Sequence, residues 1–179
     1  MKLVFPAMSH ERQATEYIQE FLTYCSPING TGGLDRFLQE SSYAEWIDKI
    51  LKDVDIANIP EGRVPALTYF CVREEDGHIV GMVNIRLALT DFLRREGGHV
   101  GYSVRPTERR KGYGSAMLRE AVRVCATLGM PSVLVSCDRE NVASAGVIRS
   151  CGGLLEEEFY SDTFHEAVQR YIINTKIDQ

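Results

Sequence analysis

Apolar residues recur along this chain in two rhythms, and the rhythms alternate. Lys2 to Pro6 is a short apolar opening that reads as a strand. From Ser9, a plausible N-cap, Ala14, Tyr17, Ile18, Phe21, Leu22 and Cys25 fall at helical spacing and share one face. Ser26 to Gly33 is a loop by composition. Leu34, Phe37 and Leu38 suit a single helical turn, and Tyr43, Trp46, Ile47, Ile50, Leu51 and Val54 mark a stronger amphipathic helix. Ile59 to Pro65 reads as a connector. The rhythm then turns to that of strands. Leu67 to Arg73 and Ile79 to Leu89 flank Asp76-Gly77, a hairpin signal. Thr90 to Gly97 is polar, and Gly98 to Val104 is the next strand.

Helical spacing returns with Met117, Leu118, Ala121, Val122, Cys125 and Leu128, and ends at Gly129 and Pro131. Ser132 to Cys137 has the unbroken apolarity of a strand buried on both faces. Strand, crossover helix and strand of this kind are expected to be parallel neighbours. Asp138 to Asn141 turns, Ala143 to Ser150 is a short helix, and Leu154–Tyr160 with His165–Asn174 closes the chain as an antiparallel pair. The order β-α-α-β-β-β-α-β-α-β-β predicts an α/β (α+β) fold. Its sheet is mixed, mostly antiparallel and flanked by helices, and residues 1–179 form a single domain.

Between the third hairpin-region strand and the long helix lies Val104 to Leu118, with Pro106 breaking the strand and Arg109-Arg110-Lys111-Gly112-Tyr113-Gly114-Ser115 opening the helix. A glycine-containing turn at a helix N-terminus presents free N–H groups and a favourable dipole to an anion. Neither the Walker A order nor G-x-G-x-x-G after a first strand is present. The alternative is a basic turn opening an ordinary surface helix.

Charge sharpens the choice. The net charge is -5, which argues against nucleic acid as a partner, so the basic run around the loop is local and suits a small anionic ligand. No apolar run is long enough to span a membrane, and the five cysteines (Cys25, Cys71, Cys125, Cys137, Cys151) have no C-x-x-C spacing. With no secretory signal at Met1 to Ala7, they read as reduced thiols in a cytoplasm, and no metal site is expected.

Arg109-x-x-Gly112-x-Gly114 resembles the [Q/R]-x-x-G-x-[G/A] pyrophosphate loop of the GNAT superfamily, the acyl-coenzyme A-dependent N-acyltransferases. Asn141, Ser144 and Gly152-Gly153 match a second motif of that family, and the order of elements matches along essentially the whole chain. The combination GGHVGYSVRP, RRKGYG, SCDREN and GG is also similar to a bacterial branch named as predicted acetyltransferases. The resemblance implies a V-shaped splay between the central parallel strands, in which acetyl-CoA docks as acyl donor. It implies coenzyme contacts from Val104, Arg109, Arg110, Lys111, Gly112, Tyr113, Gly114, Ser115, Asn141 and Ser144. Asn141 reads equally as a helix N-cap.

The resemblance further implies acetyl transfer to a primary amine by direct attack in a ternary complex. The acceptor would be a small molecule or a peptide, and homodimers are common among similar proteins. Acidic residues such as Glu61, Glu74, Glu75, Asp76, Asp91 and Glu156 to Glu158 would favour a cationic acceptor if they gathered at its pocket. Two family residues are missing. Ile148 stands where a tyrosine often protonates the leaving thiolate, and an early-strand carboxylate would fall near Gly98. His99 is the nearest titratable replacement as base. Tyr102 reads as packing, on the strand face opposite His99, and Asp138 as a turn residue or a base. These gaps keep a non-catalytic acyl-CoA-binding module open as the alternative function.

Overall fold

The computed structural model describes residues 1–175. Its elements are β1 (Lys2–Val4), α1 (Glu11–Thr23), α2 (Leu34–Glu40), α3 (Tyr43–Lys52), β2 (Ala66–Val72), β3 (Ile79–Arg86), β4 (Val100–Val104), α4 (Tyr113–Thr127), β5 (Ser132–Asp138), α5 (Val142–Ser150), β6 (Leu154–Ser161) and β7 (Glu166–Asn174). The pattern-derived elements are therefore present, with one helix more. Leu34, Phe37 and Leu38 belong to a full helix whose N-cap, Gly33, has φ 92. Ser42 caps α3, its hydroxyl accepting the Glu45 N–H at 3.2 Å. Ser9 does not cap α1: it lies inside a 3-10 turn, Met8–His10, through which the chain enters the helix.

Two sheets form. One has the order β1-β2-β3-β4 and the other β5-β7-β6, and every paired neighbour within them is antiparallel. Strand β3 is buried almost end to end because helices cover both its faces. Val83 and Ile85 join Met117, Leu118, Ala121, Val133, Val135, Ile148 and Tyr171 in one core, under α4 and α5. Met82 and Ile79 join Tyr17, Phe21, Trp46, Ile50 and Phe70 in the other, under α1 to α3. Strand β5, expected to be buried on both faces, instead alternates between buried and half-buried positions. Among the described residues it has β7 on one side and no continuous partner on the other.

The seam between the sheets decides the architecture. Among the described residues, β4 and β5 form no ladder; the sheets meet at one bridge, Gly98 with Val135, of antiparallel type. There the His99 N–H donates to the Leu134 carbonyl at 2.7 Å. Both strands leave this contact toward the same cavity, which Tyr102 to Val104 and Asp138 line, so they run in the same direction while parting. Parallel pairing was the expectation from the crossover; the strands are co-directional but splayed. Gly98 makes the contact close enough. It has φ 62, and a Cβ there would sit 2.5 Å from the Leu134 oxygen.

The segment between α1 and α2 is tied down along its length. Gly30 lies against the Gly101 carbonyl, where a Cβ would come within 2.2 Å. The Ser103 hydroxyl donates to the Asn29 carbonyl at 2.5 Å, and the Trp46 indole N–H to the Gly32 carbonyl at 3.2 Å. The buried tryptophan, flanked by Tyr43 and Phe70, thus holds this strap across the sheet. Replacing Gly98 by alanine should cost roughly 2–3 kcal/mol, since both its φ and its space are denied to a side chain. Urea unfolding of Gly98→Ala against the parent checks this, and an unchanged midpoint would contradict the contact described.

Candidate active site

The loop between β4 and α4 is built on a buried arginine. Arg105, 4% exposed, donates to Glu20 at 2.6 Å and to the Ile79 carbonyl at 3.1 Å, and lies 2.8 Å from the His78 ring nitrogen. Because a guanidinium only donates, His78 accepts and is neutral there. Glu20 also accepts from the Thr107 amide and hydroxyl, which fastens the loop to α1. Burial works to raise the Glu20 pKa, but these donors prevail and hold it below the ordinary carboxylate value. A second anchor is Glu108, which accepts from Arg73 at 3.2 Å and from Lys111 at 3.0 Å.

Beyond these anchors the backbone turns twice through the left-handed region, at Arg110 (φ 62) and at Gly112 (φ 84), the residue that caps α4. The result is a run of six amides, Arg110 to Ser115, that donate to no other protein group among the described residues. They are the concave backbone donors and helix N-terminus that suit a phosphate. A Cβ at Gly112 would meet nothing within 4 Å, so the backbone there is open. Gly114 is different: a Cβ would come within 3.1 Å of Val147, and its smallness lets α4 pack on α5.

These amides edge a cavity of about 800 Å3 between β4 and β5. Of the residues expected to hold the coenzyme, Val104, Arg109, Arg110, Gly112, Tyr113, Gly114, Ser115, Asn141 and Ser144 line it. Lys111 does not, because its ammonium is engaged by Glu108. Arg109 donates to the Val104 carbonyl and the Ser26 hydroxyl and lies over Phe21, so it ties the strap to the loop. Arg110, exposed at the rim, is the lining arginine whose guanidinium donates to no protein group among the described residues. Asn141 caps α5, its side-chain oxygen accepting the Ser144 N–H at 3.0 Å.

His99 does not line the cavity. Its Nδ1 accepts the Leu134 N–H at 2.9 Å, so the imidazole closes the base of the splay. Burial, reinforced by Arg94 and Arg86, lowers its pKa. Tyr102, read as packing, reaches across the gap instead. Its hydroxyl lies 2.9 Å from that of Ser144 and lines the cavity. Burial pushes its pKa up to about 12, although the Ser144 hydrogen bond acts against the rise. Asp138 sits at the rim, with its carboxylate accepting the Glu140 N–H at 2.8 Å as a turn residue. Ser26, Pro27 and Asn29 of the strap complete the wall. The glycines of the strap were the only sequence signal that it approaches the sheet so closely.

The sequence matches the model of the Acetyltransferase (GNAT) family over residues 33–152, two thirds of the chain. The chain belongs to the GNAT family of acetyltransferases. No curated protein matches it in sequence. Solved structures share the fold at low identity. RimJ of Mycobacterium smegmatis in complex with CoA-disulfide superposes with TM-score 0.69 at 19% identity, over 99% of this chain and 83% of the other. The ribosomal-protein-S5-alanine acetyltransferase of Vibrio fischeri gives 0.67 at 18%, over 99% and 94%. A variant of spermidine N-acetyltransferase SpeG from Vibrio cholerae gives 0.62 at 13%, over 98% and 95%. As a GNAT acetyltransferase the protein is an enzyme that takes acetyl from acetyl-CoA and passes it to an amine. The unengaged amides and the open Gly112 are features that a pyrophosphate would fit.

Gly112→Glu puts a side chain on backbone at φ 84, which costs about 1–2 kcal/mol, but it meets no clash; the variant should be modestly less stable yet folded, and should bind coenzyme A about 100-fold more weakly or worse. Calorimetric titration with coenzyme A checks it; undiminished affinity would remove the loop from the site. Two histidines, His78 and His99, have lowered pKa values in the folded protein. Their contribution to stability is full above the unfolded pKa of about 6.5 and is lost as pH falls through the lower folded values. Urea unfolding should therefore show less stability at pH 5.5 than at pH 7.5, and part of the difference should vanish in His99→Ala.

Proposed function

We propose that residues 1–179 act as one acetyltransferase domain that moves acetyl from acetyl-CoA directly to the primary amine of a small or peptide acceptor, both substrates being bound together. The observation that carries this is the run of unengaged amides, Arg110 to Ser115, on the edge of a cavity between two strands that share no ladder. Acetyl-CoA supplies an activated thioester whose acyl group an amine accepts without a further activating group. In this reading Gly112 to Ser115 hold the pyrophosphate through backbone N–H groups, with Arg110 as the mobile counter-charge. The unpaired edges of β4 and β5, with Val104, receive the pantetheine arm as an added strand would be received. Asn141 and Ser144 border the same arm.

Proton handling follows from what lines the cavity. No imidazole is among the lining residues, and His99 uses the nitrogen that a base would need to accept the Leu134 N–H. Its assignment as base therefore gives way to solvent, with Asp138 and Glu140 the carboxylates that line the cavity. Tyr102 remains protonated at neutral pH and projects into the gap. It serves as proton donor to the departing thiolate, in place of the tyrosine that Ile148 replaces. Ile148 itself is wholly buried in the core. A free thiol's pKa of about 8.5 keeps the demand on this donor mild. In the same reading the enzyme is cytoplasmic and pairs as a homodimer. No helix among the described residues is long and apolar enough to cross a membrane.

Thiol release from acetyl-CoA with a panel of amines tests the assignment. Turnover with at least one amine is expected, and tight coenzyme binding without turnover across a broad panel would favour a binding module instead. Tyr102→Phe should lower kcat by about 10²-fold while leaving KM for acetyl-CoA within a few-fold. A rise in KM at unchanged kcat would make Tyr102 a wall residue and nothing more.

A further inference from the structure

A second cavity, of about 490 Å3, lies on the other side of the strap, and it has the opposite charge from the protein. Ser26, Pro27 and Asn29 border the coenzyme cavity, whereas Gly32 borders this one. Its walls carry Arg36, Lys49, Arg63 and Arg86 against a single carboxylate, Asp53. Lys49 and Asp53 satisfy each other at 2.5 Å. The three arginines have no carboxylate partner among the described residues, although the chain carries 25 acidic residues against 20 basic ones.

Arg86 is the informative member. It stands at the end of β3, half-buried, and its Nη1 donates to the carbonyls of Gly97 and Gly98, both at 2.9 Å. That leaves the rest of the guanidinium fork without a protein acceptor among the described residues. A guanidinium withdrawn from water without a counter-ion is costly, and burial accordingly lowers its pKa. Arg36 and Arg63, both exposed, stand at the same cavity with their forks unengaged. Arginines so placed match the planar, two-oxygen geometry of a carboxylate or phosphate.

The acidic residues that would suit a cationic acceptor are elsewhere. Glu74 pairs with the chain's amino terminus, Asp76 with Arg73, and Glu156 and Glu157 with Arg170. None of them, nor Glu61 or Asp91, lines this cavity.

We propose that the cavity beside Arg86 binds the anionic group, carboxylate or phosphate, of the amine that this enzyme acetylates. The proposal rests on the acetyltransferase reading and names its substrate class. Arg86 holds the start of β4 through Gly97 and Gly98, and Tyr102 to Val104 border the coenzyme cavity further along the same strand. From Gly98 to Tyr102 is four residues of strand, about 13 Å, the length of a short extended amine anchored at its anionic end. The opposite class, polyamines with several positive charges and no anion, is disfavoured by the same arginines.

The test uses matched amines of that reach with acetyl-CoA: tetra-L-alanine against its C-terminal amide for the carboxylate, and 8-aminooctyl phosphate against 8-aminooctanol for the phosphate, with spermidine as the cationic control. For at least one pair, Arg36→Ala and Arg63→Ala should each lower kcat/KM for the anionic member at least fivefold and leave its neutral partner unchanged. Comparing variant with parent cancels the different basicities of the two amines. The pair that responds tells carboxylate from phosphate. Coenzyme A affinity, measured separately, should not change.

Preference for spermidine, or equal effects on both members of each pair, would overturn the proposal. If no member of the panel is acetylated, the arginine Nε–H signals are followed by NMR during titration with citrate and with inorganic phosphate. Saturable shifts at Arg86, weakened at least fivefold in Arg63→Ala, are required; their absence overturns the proposal. Loss of the anion site with coenzyme binding intact defeats this inference alone, whereas failure to bind coenzyme A defeats the acetyltransferase reading beneath it.

Discussion

Two strand edges that touch once and then part are the constraint on which this molecule depends. Strand β4 pairs with β3 and β5 pairs with β7, so each has one edge without a ladder. Backbone donors and acceptors left along such an edge demand partners. An enzyme that keeps the edges apart offers them to a ligand with amides of its own, which a pantetheine arm has. The single contact at Gly98 and Val135 acts as the hinge of this V, and His99 reinforces it from the side chain. The imidazole that looked like a base is therefore a structural clasp.

The splay must be held open as well as closed at its base, and the holding elements come from distant parts of the chain. Arg105 and Glu20 fix the exit of β4 to α1, and Glu108 gathers Arg73 and Lys111 beside it. The strap of residues 26–33 lies across β4, kept there by Trp46, Ser103 and Arg109. These charges are spent on geometry. Of the basic run Arg109-Arg110-Lys111, two members serve structure and Arg110 alone is left to meet an anion. Most of the affinity for a pyrophosphate must then come from oriented amides, which are neutral and need no side-chain ordering.

The same strap separates two cavities of different character. One is larger, mixed in polarity and bordered by backbone donors; the other is smaller and rich in arginine. An acetyltransferase needs two such compartments, one for a donor shared across its family and one for its own acceptor. In the proposed assignment the shared half is made of backbone and glycine, while the individual half is made of side chains. That division is physically sensible, since backbone geometry survives sequence change and side-chain charge does not.

Periodicity, turn residues and the spacing Arg109-x-x-Gly112-x-Gly114 were enough to determine the order of elements and the family resemblance, and to single out the loop whose amides the fold leaves unengaged, because each is a local property of a short stretch. The helix at Leu34–Glu40 and the entry of α1 were misjudged at their ends, where capping is subtle. What the sequence could not decide was which charges are free. Lys111 and His99 are engaged by residues near or far in the chain, Tyr102 faces a gap that exists only because two sheets diverge, and Arg36, Arg63 and Arg86 meet from three separate segments. A side chain's partner depends on distances across the fold, and only the tertiary structure sets those.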